Sequence, residues 1–364
     1  MSAPQDPDAT LRAATREAAA GRDLDDGLAD ATARALLTDR AGEQAAAALL
    51  TALARKGHAA TEVAALVRAV LAAAPPVPWD GTATADLVGT GGDASQSVNL
   101  STLAALVATA AGATVAKAGN RAATSACGSA DLLERLGVPV DPGPAGIAAS
   151  LRRHRFAFVY TPALHTTVGR WTRLRRRLGF RTLFNLSGPL SNPVAGGPRL
   201  IGVADPREQH VLAEAAGLLG HRRTWVVHGD DGLDEVSTAA TTRVLAVTAH
   251  GVRPHTIDPA ELPVRPARHT DLRGGDPARA AALAEALLAG AAPAALRDAV
   301  AANAAALLRL TGHAADLADG VRRAREALAS GAARRLTHAL RAPGARRAPL
   351  SAPSDPEESL HASR

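Results

Sequence analysis

Cysteine is nearly absent from this chain. The single Cys127 rules out a disulfide framework and any zinc site built on cysteines. Aromatic residues are almost as scarce, with three tryptophans, four phenylalanines and Tyr160 among 364 residues. That argues against a single-strand nucleic-acid binder, in which stacking rings interleave with basic residues. Lysine has all but disappeared: Lys56 and Lys117 are the only two, so nearly all the positive charge is arginine. No run approaches the ~20 apolar residues that span a bilayer. Residues 1–10 show no basic stretch leading into an apolar one, so neither a membrane span nor a signal peptide is expected. The expected location is the cytoplasm.

Alanine and arginine are abundant instead. A formal net charge of +6 would suit nucleic acid. The arginines, however, are spread along the chain, with local clusters at 173–177 and 322–325. A basic solvated surface accounts for them, and no nucleic-acid partner is expected. At 47% apolar residues, the chain can bury a sizeable core, and its length suits two or three domains or one large domain with a smaller companion. The skew makes rare residues informative. Four of the five asparagines, all four phenylalanines and Lys117 lie between about 85 and 195. That region is expected to carry the site.

Residues 9–21, 30–56 and 60–73 read as three alanine-rich helices with apolar spacing near three and four, ended by Pro75, Pro76 and Pro78. Strand and helix then alternate. Strands are expected at 86–88, 114–117, 156–160, 200–203 and 224–227, with helices at 101–111, 129–136 and 207–219. A hairpin through 242–257 precedes helices at 276–290, 293–310 and 317–330. The expected fold class is α/β: a small N-terminal helical domain beside a larger α/β domain with a mainly parallel sheet flanked by helices. The helical domain takes residues 9–76, joined in space by helical segments near 165–195, and the α/β domain takes residues 77–340. Residues 343–364, rich in proline, serine and charge, read as a disordered tail.

Four constellations carry chemistry. Gly89-Thr90-Gly91-Gly92-Asp93 follows a strand, and residues 97–102 open a helix with Ser97, Asn99, Ser101 and Thr102. Glycines admit an anion close to the backbone, and a helix start offers free N–H groups. A glycine-rich turn is also what any tight strand–helix connection needs. Lys117-Ala118-Gly119-Asn120-Arg121, continuing through Ser125 to Ser129, joins another strand end to a helix start and adds fixed positive charge. A surface turn with two solvated cations is its plainer reading. Asp234-Glu235, in a loop after a strand, suits magnesium completed by water and phosphate oxygens, or is an ordinary acidic turn. Finally, His165 and the arginines at 170–177 precede a segment bearing Phe180, Phe184, Pro189 and Pro193. Arginine suits bidentate recognition of a carboxylate, and such a segment could wall an aromatic ring. A basic solvated helix face explains most of the run.

Taken together, DLVGTGGD (86–93), NLST (99–102), KAGNR (117–121), GSADLLERLG (128–137), LGFRTLFNLSGPLSNP (178–193) and GDDGLDE (229–235) resemble the anthranilate phosphoribosyltransferases, from about residue 10 to 335. The resemblance implies a helical domain beside an α/β domain, in the nucleoside-phosphorylase-like class, assembled as a homodimer. It implies transfer of phosphoribose from phosphoribosyl pyrophosphate to anthranilate in tryptophan biosynthesis, with Mg2+ as cofactor. By motif, Gly89, Gly92, Asp93, Ser97, Asn99, Leu100, Ser101, Thr102, Lys117, Ser125 and Ser129 would bind the donor. Gly89, Asn120 and Arg175 would contact anthranilate. Ser101, Asp234 and Glu235 would hold the metal, and Lys117, Asp234 and Glu235 would carry catalysis. The chain departs from the family pattern at three positions: Ala118 replaces a histidine, Arg177 a glutamate and Thr161 an alanine. A phosphoribosyltransferase for another aromatic acid is the alternative; pyrimidine nucleoside phosphorylases resemble the chain more weakly. A non-catalytic nucleic-acid-binding relative would have no use for the acidic pair and the full donor loop.

Overall fold

The structure, a computed structural model, describes residues 6–81, 83–92, 96–122, 126–194 and 196–341. Four helices open it: α1 (Pro7–Ala19), α2 (Asp26–Leu37), α3 (Glu43–Lys56) and α4 (Ala60–Ala73). Asp6 and Asp25 cap the first two by accepting from the N–H groups of Asp8 and Leu28. The single helix expected over 30–56 is therefore two. Thr38 leaves α2 in an extended conformation and Gly42 starts α3, its N–H donated to Asp8 at 2.7 Å. Arg170 donates to the carbonyls of Thr38 and Ala41, so the break is satisfied by a residue far along the chain. Local alanine periodicity carries no trace of that partner. Lys56, one of the two lysines, reaches Asp23 and the buried Glu62, at 2.5 and 3.2 Å, and ties these helices together.

Beyond them come β1 (Asp86–Gly89), α5 (Leu100–Ala110), β2 (Val115–Gly119), α6 (Ser129–Arg135), α7 (Gly143–His154) and β3 (Phe156–Tyr160). Four short helices follow: α8 (Thr161–Leu164), α9 (Thr166–Gly169), α10 (Thr172–Leu178) and α11 (Leu183–Ser187). The chain then returns to the sheet with β4 (Arg199–Gly202), α12 (Pro206–Leu218), β5 (Thr224–Gly229), β6 (Thr242–Thr248) and β7 (Gly251–Ile257). It closes with α13 (Pro277–Leu288), α14 (Ala294–Thr311), α15 (Leu317–Ala329) and α16 (Ala332–Ala339).

The main sheet has the order β1-β4-β5-β6-β7, with β1, β4 and β5 parallel and β6 and β7 antiparallel. β2 and β3 form a second, parallel pair, linked to the first sheet by a parallel bridge between Ala85 and Val115. The parallel strands thus send their C-terminal ends to one edge, where open α/β sheets bind ligands. Two cores flank the sheet. One packs α5 and the alanine-rich α14, both buried on most faces, against Leu87, Leu200 and Val227. The other is continuous from α1–α4 through Trp171, Leu174 and Phe184 to Ile201, Val226 and Leu245 of the sheet. Trp171 fastens the short helices to the N-terminal ones by donating Nε1–H to the Leu36 carbonyl at 2.7 Å.

Candidate active site

A cleft of about 410 Å³ opens at the C-terminal ends of the parallel strands. Gly89, Ser97, Asn99, Ser101, Lys117, Asn120, Ser129, Arg175, Asp234 and Glu235 all line it. Leu100 and Thr102 stand apart from the lining, with their side chains buried beneath α5. Gly92 directly follows Gly91, which is in the wall. Asp93 and Ser125 lie outside the described residues.

At the glycine-rich turn, Asp234 reaches across from the loop after β5 and its Oδ2 accepts from the Gly91 N–H at 3.1 Å. This approach requires glycine at two strand ends. A Cβ on Gly89 would lie 2.4 Å from Asp234 Oδ2, and one on Gly202 would lie 1.5 Å from the Asp234 carbonyl oxygen. The acidic loop is held from behind by Asn303 of α14. Its Oδ1 accepts from the Val236 N–H at 2.9 Å, and its Nδ2 donates to the Val236 carbonyl at 3.0 Å.

Lys117 is 1% exposed and donates to the Ala118 carbonyl at 2.9 Å. Burial pushes its ammonium below the usual lysine range, while Asp86, Glu235 and Asp234 oppose that shift. Asp86 is itself fully buried. Its Oδ1 accepts from the Ala118 N–H at 3.0 Å and its Oδ2 from Asn192 Nδ2 at 2.8 Å. Asn192 also donates to the Ala116 carbonyl, and Arg199 donates to the carbonyls of Pro189, Leu190 and Asn192. A buried polar web therefore fixes both the strand end that carries Lys117 and the segment after α11. Asn99, in the same cleft wall, donates Nδ2–H to the Cys127 carbonyl at 3.0 Å, and its Oδ1 is buried with no hydrogen-bond partner among the described residues. Arg121, read from the sequence as a second fixed cation, is drawn into Glu134 and Asp131. Asp131 in turn accepts from the N–H groups of Ala122 and Gly128, both at 2.9 Å.

Arg175 forms another part of the cleft wall. It donates to Asn185 Oδ1 at 3.3 Å and lies 5.4 Å from the centroid of the Phe184 ring. Burial lowers its pKa from the usual arginine value, and its Nε has no hydrogen-bond partner among the described residues. Arg173, Arg176 and Arg177 are exposed, and Arg177 pairs with Glu43. The second basic cluster is likewise paired, Arg322 and Arg323 with Asp319 and Arg325 with Asp298. His165 also lines the cleft. Its Nε2 is 2.7 Å from the Ser191 carbonyl, an acceptor, so this nitrogen carries the proton and the buried Nδ1 is left as an acceptor. Burial keeps this imidazole below its ordinary pKa, against the contrary effect of the Ser191 carbonyl.

Two hard carboxylates and the Ser101 hydroxyl fit magnesium. Among the described residues no group of three or more His, Cys, Asp or Glu side chains is placed to hold a metal. That donor set suits an ion whose coordination is completed by water and phosphate oxygens, and not a closed protein cage. Asp86, Asn192, Arg199 and Asn303 were given no role by the sequence reading. Asn303 had a signal, since it is one of only five asparagines and stands far from the other four. Asp86 and Asn192 fell inside the recognised motifs, but nothing local shows that they meet.

The chain matches the model of the glycosyl transferase family, a/b domain, over residues 81–334. It is 46% identical over 249 residues to an anthranilate phosphoribosyltransferase of Methylorubrum extorquens, covering 68% of this chain and 74% of that one. The crystal structure of anthranilate phosphoribosyltransferase from Thermus thermophilus superposes with a TM-score of 0.84 at 40% identity, over 90% of this chain and 98% of that one. The Saccharomyces cerevisiae enzyme in complex with phosphoribosyl pyrophosphate and Mg aligns with a TM-score of 0.80 at 27% identity, over 91% and 97%. Among the described residues no helix is long and apolar enough to cross a membrane. With its fold and two thirds of its length in agreement with these relatives, the chain belongs to the anthranilate phosphoribosyltransferase family.

Proposed function

We infer that the protein transfers the 5-phosphoribosyl group from phosphoribosyl pyrophosphate to the amine of anthranilate, releasing pyrophosphate, as a step of tryptophan biosynthesis. One observation carries this reading: a single cleft is lined by a glycine-rich turn, a buried lysine and two carboxylates, and also by a half-buried arginine against a phenyl ring. The first group suits a polyphosphate and the second an aromatic carboxylate.

On this reading Gly89, Gly92, Asp93, Ser97, Asn99, Leu100, Ser101, Thr102, Lys117, Ser125 and Ser129 form the donor site, Leu100 and Thr102 through their backbone. The Asn99 Oδ1 acceptor suits a ribose hydroxyl, which can donate, better than a phosphate, which cannot. As the C1–oxygen bond of the ribose breaks, negative charge grows on the pyrophosphate and positive charge on the sugar. Lys117 faces the first of these from a dry wall, where a fixed charge acts more strongly than in water. Magnesium, held by Asp234, Glu235 and Ser101, would supply further charge neutralisation on the leaving pyrophosphate. Arg175 grips the acceptor's carboxylate, Phe184 walls its ring, and Gly89 and Asn120 border it. The amine is thereby aimed at C1, and orientation is the larger part of the work. The proposal extends to a cytoplasmic homodimer whose smaller, helical part is residues 9–76 with the helices near 165–195.

A second reading has one observation behind it. Ala118, buried in the cleft wall, offers a methyl group where the family has an imidazole, which leaves room for a different aromatic acid. One assay separates the two. Purified protein, magnesium and phosphoribosyl pyrophosphate are incubated with anthranilate or with a panel of benzoates, and loss of anthranilate fluorescence is followed. Consumption of anthranilate is expected. If anthranilate persists at every concentration while another benzoate is ribosylated, the acceptor assignment is wrong.

A further inference from the structure

Arg181 does not line the cleft, yet it grips the cleft's glycine-rich turn from the outside. Its Nε and Nη2 donate to the two carboxylate oxygens of Glu208 at 3.0 and 2.7 Å, a bidentate fork. The remaining nitrogen, Nη1, donates to the carbonyls of Gly91 at 2.6 Å and Thr90 at 3.5 Å. Both anchors are firm. Glu208 sits in the first turn of α12, and Arg181 directly precedes Thr182, the cap of α11. An ion pair this close to the surface would by itself contribute little to stability. The contact with the two carbonyls is what needs explaining.

Peptide geometry makes that contact directional. In a trans peptide, the carbonyl of one residue and the N–H of the next point in opposite directions. Holding the Thr90 carbonyl outward therefore turns the Gly91 N–H inward, where it meets Asp234 Oδ2 at 3.1 Å. The same pull on the Gly91 carbonyl turns the Gly92 N–H to the cleft side. Gly91 and Gly92 hold φ values of +65° and +90°, and a Cβ on Gly92 would lie 2.7 Å from Arg181 Nη1. Glycine at position 92 thus serves the latch as well as the turn.

We propose that Arg181, buttressed by Glu208, is a positioning residue of the donor site. It presents the Gly92 N–H to the phosphate oxygens of phosphoribosyl pyrophosphate and the Gly91 N–H to Asp234. The inference rests on the phosphoribosyl-transfer reading and deepens it. Arg181→Met keeps the length of the side chain and removes its donors. Calorimetry with phosphoribosyl pyrophosphate and magnesium is expected to show donor affinity weakened about tenfold or more, the worth of one hydrogen bond to a charged group. The KM for anthranilate should stay within about twofold. Arg181→Lys, which can still donate to the carbonyls, should recover part of the loss. Should Arg181→Met not fold, Glu208→Gln loosens the same fork and is expected to weaken the donor about threefold. Unchanged donor affinity in a folded Arg181→Met, or in Glu208→Gln where only that variant folds, overturns the latch. So does an equal loss for both substrates. Wild-type protein that binds no donor would instead bring down the phosphoribosyl reading itself, and the latch with it.

Discussion

Asn303→Leu isolates how the acidic loop is held. Leucine matches asparagine in branching and number of heavy atoms but can neither accept from the Val236 N–H nor donate to the Val236 and Ala299 carbonyls. Val236 and Asn303 are both buried, at 2% and 1% exposure, so water cannot replace the lost partners. Two stranded backbone groups at about 1–3 kcal/mol each cost about 2–6 kcal/mol. Burying the added apolar surface returns about 1–2 kcal/mol. A net loss of about 3 kcal/mol, read as a fall of about 4 °C in melting temperature, is expected. The functional effect is separate. Val236 directly follows Asp234-Glu235, so a loosened Val236 lets both carboxylates drift from the cleft. A misplacement of about 1 Å can cost about 100-fold in rate. The assay is a magnesium titration of turnover alongside calorimetry. Leu308→Ala, on the same helix and equally buried, provides a destabilised control that leaves the loop's hydrogen bonds in place. Asn303→Leu should raise the magnesium requirement well above that of the control. Equal requirements in the two variants would show that Asn303 stabilises the fold without setting the acidic loop.

Three further outcomes are expected. Asp234→Asn combined with Glu235→Gln should lower turnover at least ~100-fold with folding little changed, since a metal clamp contributes several kcal/mol; wild-type activity in the double variant removes the metal assignment. Arg175→Ala should raise the KM for anthranilate far more than that for the donor, whereas the exposed Arg176→Ala and the Glu43-paired Arg177→Ala should leave both nearly unchanged. Burial holds His58 and His221 at about 4, below the ordinary histidine value, so between pH 6.5 and 4 the unfolded chain binds protons that the folded one does not. Stability is then full above pH 6.5 and falls as pH drops towards 4, by up to about 3 kcal/mol per histidine. Urea unfolding from pH 7.5 to 4.5 checks the slope, which His58→Gln and His221→Gln should flatten; an unaltered slope refutes the assignment.

The alternation of apolar strands with amphipathic helices was legible along the chain, because a strand or a long helix writes its period into consecutive residues. All seven strands fall at or near their expected positions, and α13, α14 and α15 do as well, whereas α7 and α16 had no expected counterpart. The loops carrying Gly89, Lys117 and Asp234 stood out because each follows a strand and combines residue types that a plain turn does not need. The four short helices between 161 and 187 were expected only as helical segments near 165–195 without separate bounds, since none has two full turns over which a period could repeat. The break at 38–42 was silent, its partner being Arg170.

Sequence alone determined which residues were available for chemistry: a lysine kept against the prevailing composition, an acidic pair, an arginine four residues before Gly179. It could not decide which charges are exposed and which are dry. Arg175 and Arg177 are two positions apart on one short helix, yet the first is turned into the cleft over Phe184 and the second out to Glu43. Lys117 ends up inside β2 and Arg121 just beyond it, yet the first is buried within the field of three carboxylates and the second is spent on Glu134. Only the tertiary structure brings Asp86 to Asn192, Arg181 to Gly91 and Asn303 to Val236, because hydrogen bonds between residues tens to a hundred positions apart depend on how layers pack and leave no mark on either residue's neighbours.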